Sequence, residues 1–257
     1  MANVVAVRIF ELVCLGLWLY GIYWVRRSKN PVYVGVYIGS TGLIGFDWIF
    51  NTNWFFRVEF DEKFIDLFRI QGVSEPLAMA LNYAFYFGLP VLLLVHHRDA
   101  IDRRCGKLGY LWVFLGACAI LPMFEMPAVS WLHLWTYYQE PAFELGGVTW
   151  SNIWYSGMLT TSCYCAARLA VRWAAVPLPA PGGKVSPTTA AAAGARKPAG
   201  VGARGPGTAG PTLTTEERWR AIAMGAASVW TAFYLSWSVQ LIWYALAQPW
   251  VDTPRPF

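Results

Sequence analysis

Six stretches of about 20 predominantly apolar residues, at 4–25, 32–56, 76–97, 108–124, 148–173 and 217–247, leave this chain few ways to fold. A segment in hydrocarbon can satisfy its own backbone hydrogen bonds only as a helix or in a closed barrel, and about 20 residues of helix cross the apolar core. Charged residues make up only 14% of the chain, where a soluble domain carries about 25%. The sequence predicts an all-α, polytopic membrane helix bundle of about six transmembrane helices. Its five cysteines, Cys14, Cys105, Cys118, Cys163 and Cys165, lie mostly within apolar segments. There a free thiol behaves as a small hydrophobe, and neither a disulfide framework nor zinc-ligand spacing follows from them.

The ends of the stretches are punctuated as helix ends should be. Pro31 precedes the second, Ser74 and Pro76 open the third, and Pro249 follows the sixth, all positions where a missing N–H does little harm. The first stretch carries Arg8 and Glu11 without a small-residue cleavage site, and reads as a retained helix rather than a removed signal peptide. Between the fifth and sixth, Ala, Gly, Pro and Thr dominate from Pro177 to Pro211 with no aromatic residue. Such a composition cannot bury enough apolar area to offset ordering. The chain divides accordingly into a five-helix membrane region (1–176), a disordered cytoplasmic loop (177–213), and a sixth helix with its tail (214–257). Residues 57–75 alternate Phe and Leu with charge, and are expected to lie along the membrane surface as an amphipathic half-helix.

Charge sets the orientation. The loops joining helices one to two, three to four and five to six hold 15 of the 20 basic residues, whereas 11 of the 15 acidic residues lie on the other side. Basic loops stay cytoplasmic, so both termini are expected on the non-cytoplasmic side. The net charge of +5 then reports orientation and not a nucleic-acid partner.

Ionisable and amide side chains inside a bilayer are costly and gather in the bundle interior. Glu11, Asp47, Asn82, Asn152 and Gln240 each lie several residues in from the non-cytoplasmic end of a different helix. At 1.5 Å per residue that is roughly 6 to 14 Å below the boundary, so five helices place a polar group in one leaflet. Asp47, Asn51 and Trp54 share a helix face, as do Glu75, Met79, Asn82 and Tyr86. Trp230, Tyr234, Trp237, Gln240 and Tyr244 repeat the pattern on helix six, and His133, Tyr137 and Glu140 share a face if 125–147 is helical. Together these predict an aromatic-walled cavity carrying carboxylates and open toward the outer leaflet.

Plainer roles compete for the same residues. Trp and Tyr collect at membrane interfaces in any membrane protein, Asn and Gln can simply hold helices together, and Arg8 at i−3 makes Glu11 a salt-bridge partner. Asp99 and Asp102 form a DxxD beside His96 and His97, but Arg98, Arg103 and Arg104 surround them and favour ion pairing. Three histidines are too few for a di-iron histidine box, no predicted helix holds a lysine for a retinal Schiff base, and GxSxG, Walker A and HExxH are absent.

The ordered set Phe46-Asp47-Trp48-Ile49-Phe50-Asn51-Thr52-Asn53-Trp54, Glu125-Met126-Pro127, Trp135-Thr136-Tyr137-Tyr138 and Glu144-Leu145-Gly146-Gly147-Val148 resembles the AveC-type spirocyclase family. The bacterial carotenoid hydratases are similar more distantly. That family carries a D…N-W element, a Glu after a helix, and a Y-x-Y followed by a Gly turn, although Trp48 stands where the family has Pro. The resemblance spans about residues 40 to 165 and implies spiroketal closure, cyclisation or hydration of a long apolar molecule, with neither metal nor nucleotide.

The expected function is an acid–base isomerase or cyclase for a lipophilic polyketide or isoprenoid, without a cofactor. Asp47 and Glu125 are its acid–base pair and His133 a further catalytic candidate. Asn51, Trp54, Asn82, Tyr86, Trp135, Tyr137, Asn152, Trp237, Gln240 and Tyr244 would bind or orient substrate. A non-enzymatic lipid-binding or scaffold protein is the alternative, and a small transporter a third, disfavoured by the lack of a repeat or broken helix pair. The topology is testable directly. A cysteine introduced beside Lys184 should react with an impermeant reagent only from the cytoplasmic face, and labelling from outside sealed cells would overturn the orientation.

Overall fold

The computed structural model describes residues 2–49, 58–70, 72–137, 144–174 and 213–247; at 47–49, 144, 151, 241 and 243–247 it describes the backbone alone. Helices occupy all six expected places. They are α1 (Val4–Ser28), α2 (Pro31–Thr41) with α3 (Ile44–Ile49), α4 (Leu77–Tyr83) continuing through a π-turn into α5 (Leu89–His96), α7 (Gly109–Met126), α8 (Trp150–Ala174) and α9 (Thr215–Ala247), with a short α6 (Arg98–Cys105) after α5. The chain is thus an all-α bundle with a few short strands, and four of its helices are long and apolar enough to cross a membrane: Val4–Ser28, Leu77–His96, Arg98–Trp131 and Thr215–Gln240. Their outer faces expose Leu12, Trp112, Met123, Leu235 and Ile242, a surface far too apolar for water. The segment 177–212 and the tail from 248 lie outside the described residues.

The two remaining helices are central, which explains their lower apolarity or shorter length. Seven of the eleven residues of α2 are buried. Helix α8 buries Tyr155, Ser156, Leu159, Thr160, Tyr164 and Arg168 within protein, so its polar groups need not face lipid. Helix α2 seats on α9 through glycines. A Cβ on Gly35 would stand 1.9 Å from the Ile222 carbonyl oxygen, one on Gly39 2.9 Å from Ala226 Cα, and one on Gly225 2.3 Å from the Val32 carbonyl oxygen. Backbones therefore touch, the packing that replaces the hydrophobic effect between helices in lipid, and the Trp230 indole N–H donates to the Gly39 carbonyl at 3.1 Å.

At the end of the bundle opposite α6 the connections form strands. β1 (Val58–Phe60) pairs antiparallel with β4 (Trp135–Tyr137), β2 (Asp66–Ile70) with β3 (Val73–Pro76), and β5 (Glu144–Leu145) with β6 (Val148–Thr149) across Gly146 and Gly147, both at positive φ. This corrects two expectations. Residues 58–60, 66–70 and 73–76 are strands rather than an amphipathic half-helix, and 132–137 leave helical conformation after a π-turn at Pro127–Trp131, so His133 and Tyr137 do not share a helix face. Glu75, fully buried, belongs to β3 and not to the helix that carries Met79, Asn82 and Tyr86. Aromatic residues at period two, as in Val58-Glu59-Phe60 and Trp135-Thr136-Tyr137, suit a half-buried pleat.

Helix α1 is tied to this cap. The Ala2 amide donates to Asp61 Oδ2 at 2.8 Å and the Ile65 amide to Glu11 Oε1 at 2.8 Å, while Arg8 pairs with Glu11 as the i+3 spacing anticipates. Burial alone would raise the Asp61 carboxyl, but the Ala2 and Lys63 amides and the Lys63 ammonium outweigh it and hold it below the usual range. At the other end, Arg168 grips Asp102 with two bonds of 3.0 and 2.7 Å and lies over the Tyr110 and Tyr164 rings. Local ion pairing holds for Asp99, which meets Arg98 at 3.5 Å, whereas Asp102 pairs not with its basic neighbours but with Arg168, 66 residues away. Gly35→Leu should force α2 from α9 and cost about 1–3 kcal/mol or more, read as a lower thermal midpoint of the detergent-solubilised protein. Gly16→Leu, whose Cβ meets nothing within 4 Å, should leave the midpoint unchanged.

Candidate functional site

A cavity of about 150 Å³ lies between the strand cap and the helices. Its roof is the inner face of the β1–β4 pair: the register sets Val58 opposite Tyr137 and Phe60 opposite Trp135, and all four line the cavity. Glu59 and Thr136, between them, point outward and are exposed. Alternation along a strand makes this division unavoidable. Helix α7 contributes Leu121, Phe124 and Glu125, and α8 contributes Asn152, Tyr155 and Leu159, each set at i, i+3, i+4 or i+7 on one helix face.

The third wall depends on a backbone irregularity. Pro90 has no N–H, so the Tyr86 carbonyl loses its α-helical donor, and the chain widens into a π-turn at Ala84–Gly88 closed by the Leu89 amide on the Ala84 carbonyl. Phe85, Tyr86 and Phe87 reach the cavity from this turn, beside Met79, Asn82 and Tyr83 of α4. Pro127 opens the second π-turn directly after the Glu125 helix, closed by the Leu132 amide on the Pro127 carbonyl at 3.0 Å.

The polar centre joins three elements. Tyr137 Oη donates to Glu125 Oε2 at 2.6 Å, and Asn152 Nδ2 donates to Glu125 Oε2 at 3.0 Å, to Oε1 at 3.3 Å and to Tyr137 Oη at 2.9 Å. An amide nitrogen carries two hydrogens, so one serves the carboxylate and the other the phenol. In the three of these bonds that reach Glu125, it is the acceptor. Burial, then the adjacent Glu125 carboxylate, push the Tyr137 phenol well above its ordinary value, which keeps its proton in place. The centre is thus a carboxyl group with a hydroxyl attached to it and both oriented by one amide.

The structure brings together Glu125, Asn82, Tyr86, Trp135, Tyr137 and Asn152 of the residues singled out from sequence. It does not bring His133, which is exposed on a turn at φ 51° outside the cavity. The helix-six face is also placed differently. Trp230 and Tyr234 are partly exposed, Trp237 packs against the core, Gln240 is fully buried, and Phe233 is the α9 residue that reaches the cavity. The side chains of Asp47 and Tyr244, and Asn51, Trp54, Tyr138 and Glu140 entirely, lie outside the described residues.

Sequence reasoning missed Tyr155, Leu159, Tyr83, Phe85, Phe87 and Phe10. Tyr155 and Leu159 follow from Asn152 by helical spacing, a signal present but unused; the π-turn residues follow from no regular period. Among the described residues no group of three His, Cys, Asp or Glu is placed to hold a metal ion. The fold and site define a helix bundle with membrane-length apolar helices and a partly buried carboxyl–phenol–amide centre. Set against known protein families, curated proteins and solved structures, the chain finds no match.

If the three groups act as one unit, Tyr137→Phe and Asn152→Leu will not be additive. A double-mutant cycle in denaturant should give a coupling of about 0.5–3 kcal/mol. Additivity within error would show that the bonds do not work together.

Proposed function

We propose that the protein is a six-pass integral membrane acid–base isomerase or cyclase for a lipophilic polyketide or isoprenoid, with both termini on the non-cytoplasmic side. The observation that carries the reading is the Glu125–Tyr137–Asn152 centre in an aromatic-walled cavity. Isomerisation and cyclisation return every proton they borrow. A single carboxyl can give a proton to the substrate and recover it from the product, which leaves the protein as it began. Tyr137 Oη extends the reach of Glu125 by one hydroxyl, and Asn152 fixes both orientations. Surrounding rings exclude water, which would otherwise trap a cationic intermediate, and favour positive charge as it develops.

The cavity volume is close to what one benzene-sized group occupies, so only the reacting end of a long substrate fits within it. The remaining chain would lie outside, against the apolar faces of the helices. The Asp-to-Trp and Y-x-Y elements that resemble the AveC-type spirocyclases are compatible with this chemistry, and Asp47 remains the proposed second carboxylate.

The test is turnover. Membranes containing the protein, incubated with apolar polyketide or isoprenoid precursors, should yield a product of unchanged mass, or one heavier (hydration) or lighter (spiroketal closure) by a single water. Glu125→Gln should keep shape and hydrogen-bonding capacity while lowering the rate by about 10² to 10⁴. A folded Glu125→Gln protein with wild-type turnover would sink the catalytic role. The same bonds would then be a structural tie between α7, β4 and α8, as in a lipid-binding or scaffold protein.

A further inference from the structure

The walls of the cavity are more selective than an apolar substrate requires. Eleven of its eighteen lining residues are aromatic, against 17% of the chain, and Glu125 is the one carboxylate among them, with no Lys, Arg or His in the described lining. A hydrocarbon is held as well by Leu or Val as by Phe. Rings differ in carrying a negative face, so a wall of rings around a carboxylate complements a soft, weakly hydrated organic cation. At about 150 Å³ the cavity takes one group of benzene size, which is also the size of a trimethylammonium.

A second observation concerns what is attached to that group. Phe124 lines the cavity yet is 59% exposed, and Ile120 and Met123 beside it on α7 are exposed as well. The cavity wall is therefore continuous with the apolar outer surface of α7. We infer that the cavity is a receptor for a small organic cation, a quaternary or tertiary ammonium, borne on an apolar chain that leaves past Phe124 along α7. This goes beyond the proton-transfer reading and does not require turnover, because a stable ammonium is held by the same rings and carboxylate whether or not anything reacts.

The experiment titrates the full-length protein in a non-ionic detergent with choline and with 3,3-dimethylbutan-1-ol, in which carbon replaces the nitrogen at nearly equal shape. Choline should bind at least about tenfold more tightly. Glu125→Gln, and separately Phe85→Leu with Phe124→Leu, should each erase most of the preference for choline over the alcohol. Equal affinity for the two wild-type ligands overturns the inference without recourse to any variant, and so does a preference that survives every substitution. Dodecyltrimethylammonium and tetramethylammonium distinguish the source of the cation. Displacement of choline at about tenfold lower concentration by the long-chain compound assigns a chain-borne cation, and equal displacement overturns that part. Choline selectivity without turnover of any precursor would defeat the proposed reaction and leave the receptor standing; turnover without choline selectivity would do the reverse.

Discussion

The contact on which the bundle depends is the backbone approach of α2 to α9. Gly35, Gly39 and Gly225 let two helices almost 200 residues apart meet with carbonyls against Cα atoms, closer than any side chain would permit. In lipid the solvent does not push helices together, so close van der Waals contact and the occasional interhelical hydrogen bond must do it. Trp230, which donates to the Gly39 carbonyl at this contact, fixes the rotation of α9. That rotation turns Phe233 into the cavity and leaves Trp230 and Tyr234 to pack with Phe46.

Polar groups obey a different constraint at each end of the molecule. At the end near α6, Arg168 and Asp102 meet in a two-bond pair with two aromatic rings beside the guanidinium. At the capped end the Glu125 carboxylate is met by a phenol and an amide. The first arrangement has its charges mutually compensated and no cavity. The second sets a carboxylate beside open volume, and that volume is why one is read as structural and the other as chemical.

Much of the all-α fold was legible from the apolar stretches, and four of the helices described have the length and apolarity that a bilayer demands. Of the polar residues that counting put at one depth, Asn82 and Asn152 reach the cavity, whereas Glu11 pairs with Arg8 and the Ile65 amide and Gln240 is buried away from it. Three things were not legible, each for a physical reason. Strand pairing of residues 58–60 with 135–137 depends on a partner about 75 residues away, which no local period reports. The π-turns break the 3.6-residue repeat, so Phe85 and Phe87 fall outside any regular face. The aromatic stripe of α9 read as a pocket face because pattern shows that a helix has sides, not which neighbour each side meets; the glycine contact decides that.

A π-turn is an α-helix holding one residue more than its period allows. Deleting a single residue from Ala84–Gly88 would leave Pro90 without a hydrogen to give the turn before it, and would rotate everything ahead of it by about 100° relative to α5. Asn82 and Met79 would swing off the cavity, and the β2–β3 hairpin that leads into α4 would be carried round with them. The extra residue thus acts as an indexing tooth. It lets the inner half of this span seat against α8 while the outer half is aimed independently, and it makes the span intolerant of a length change of one at the very place where its sequence looks most freely exchangeable.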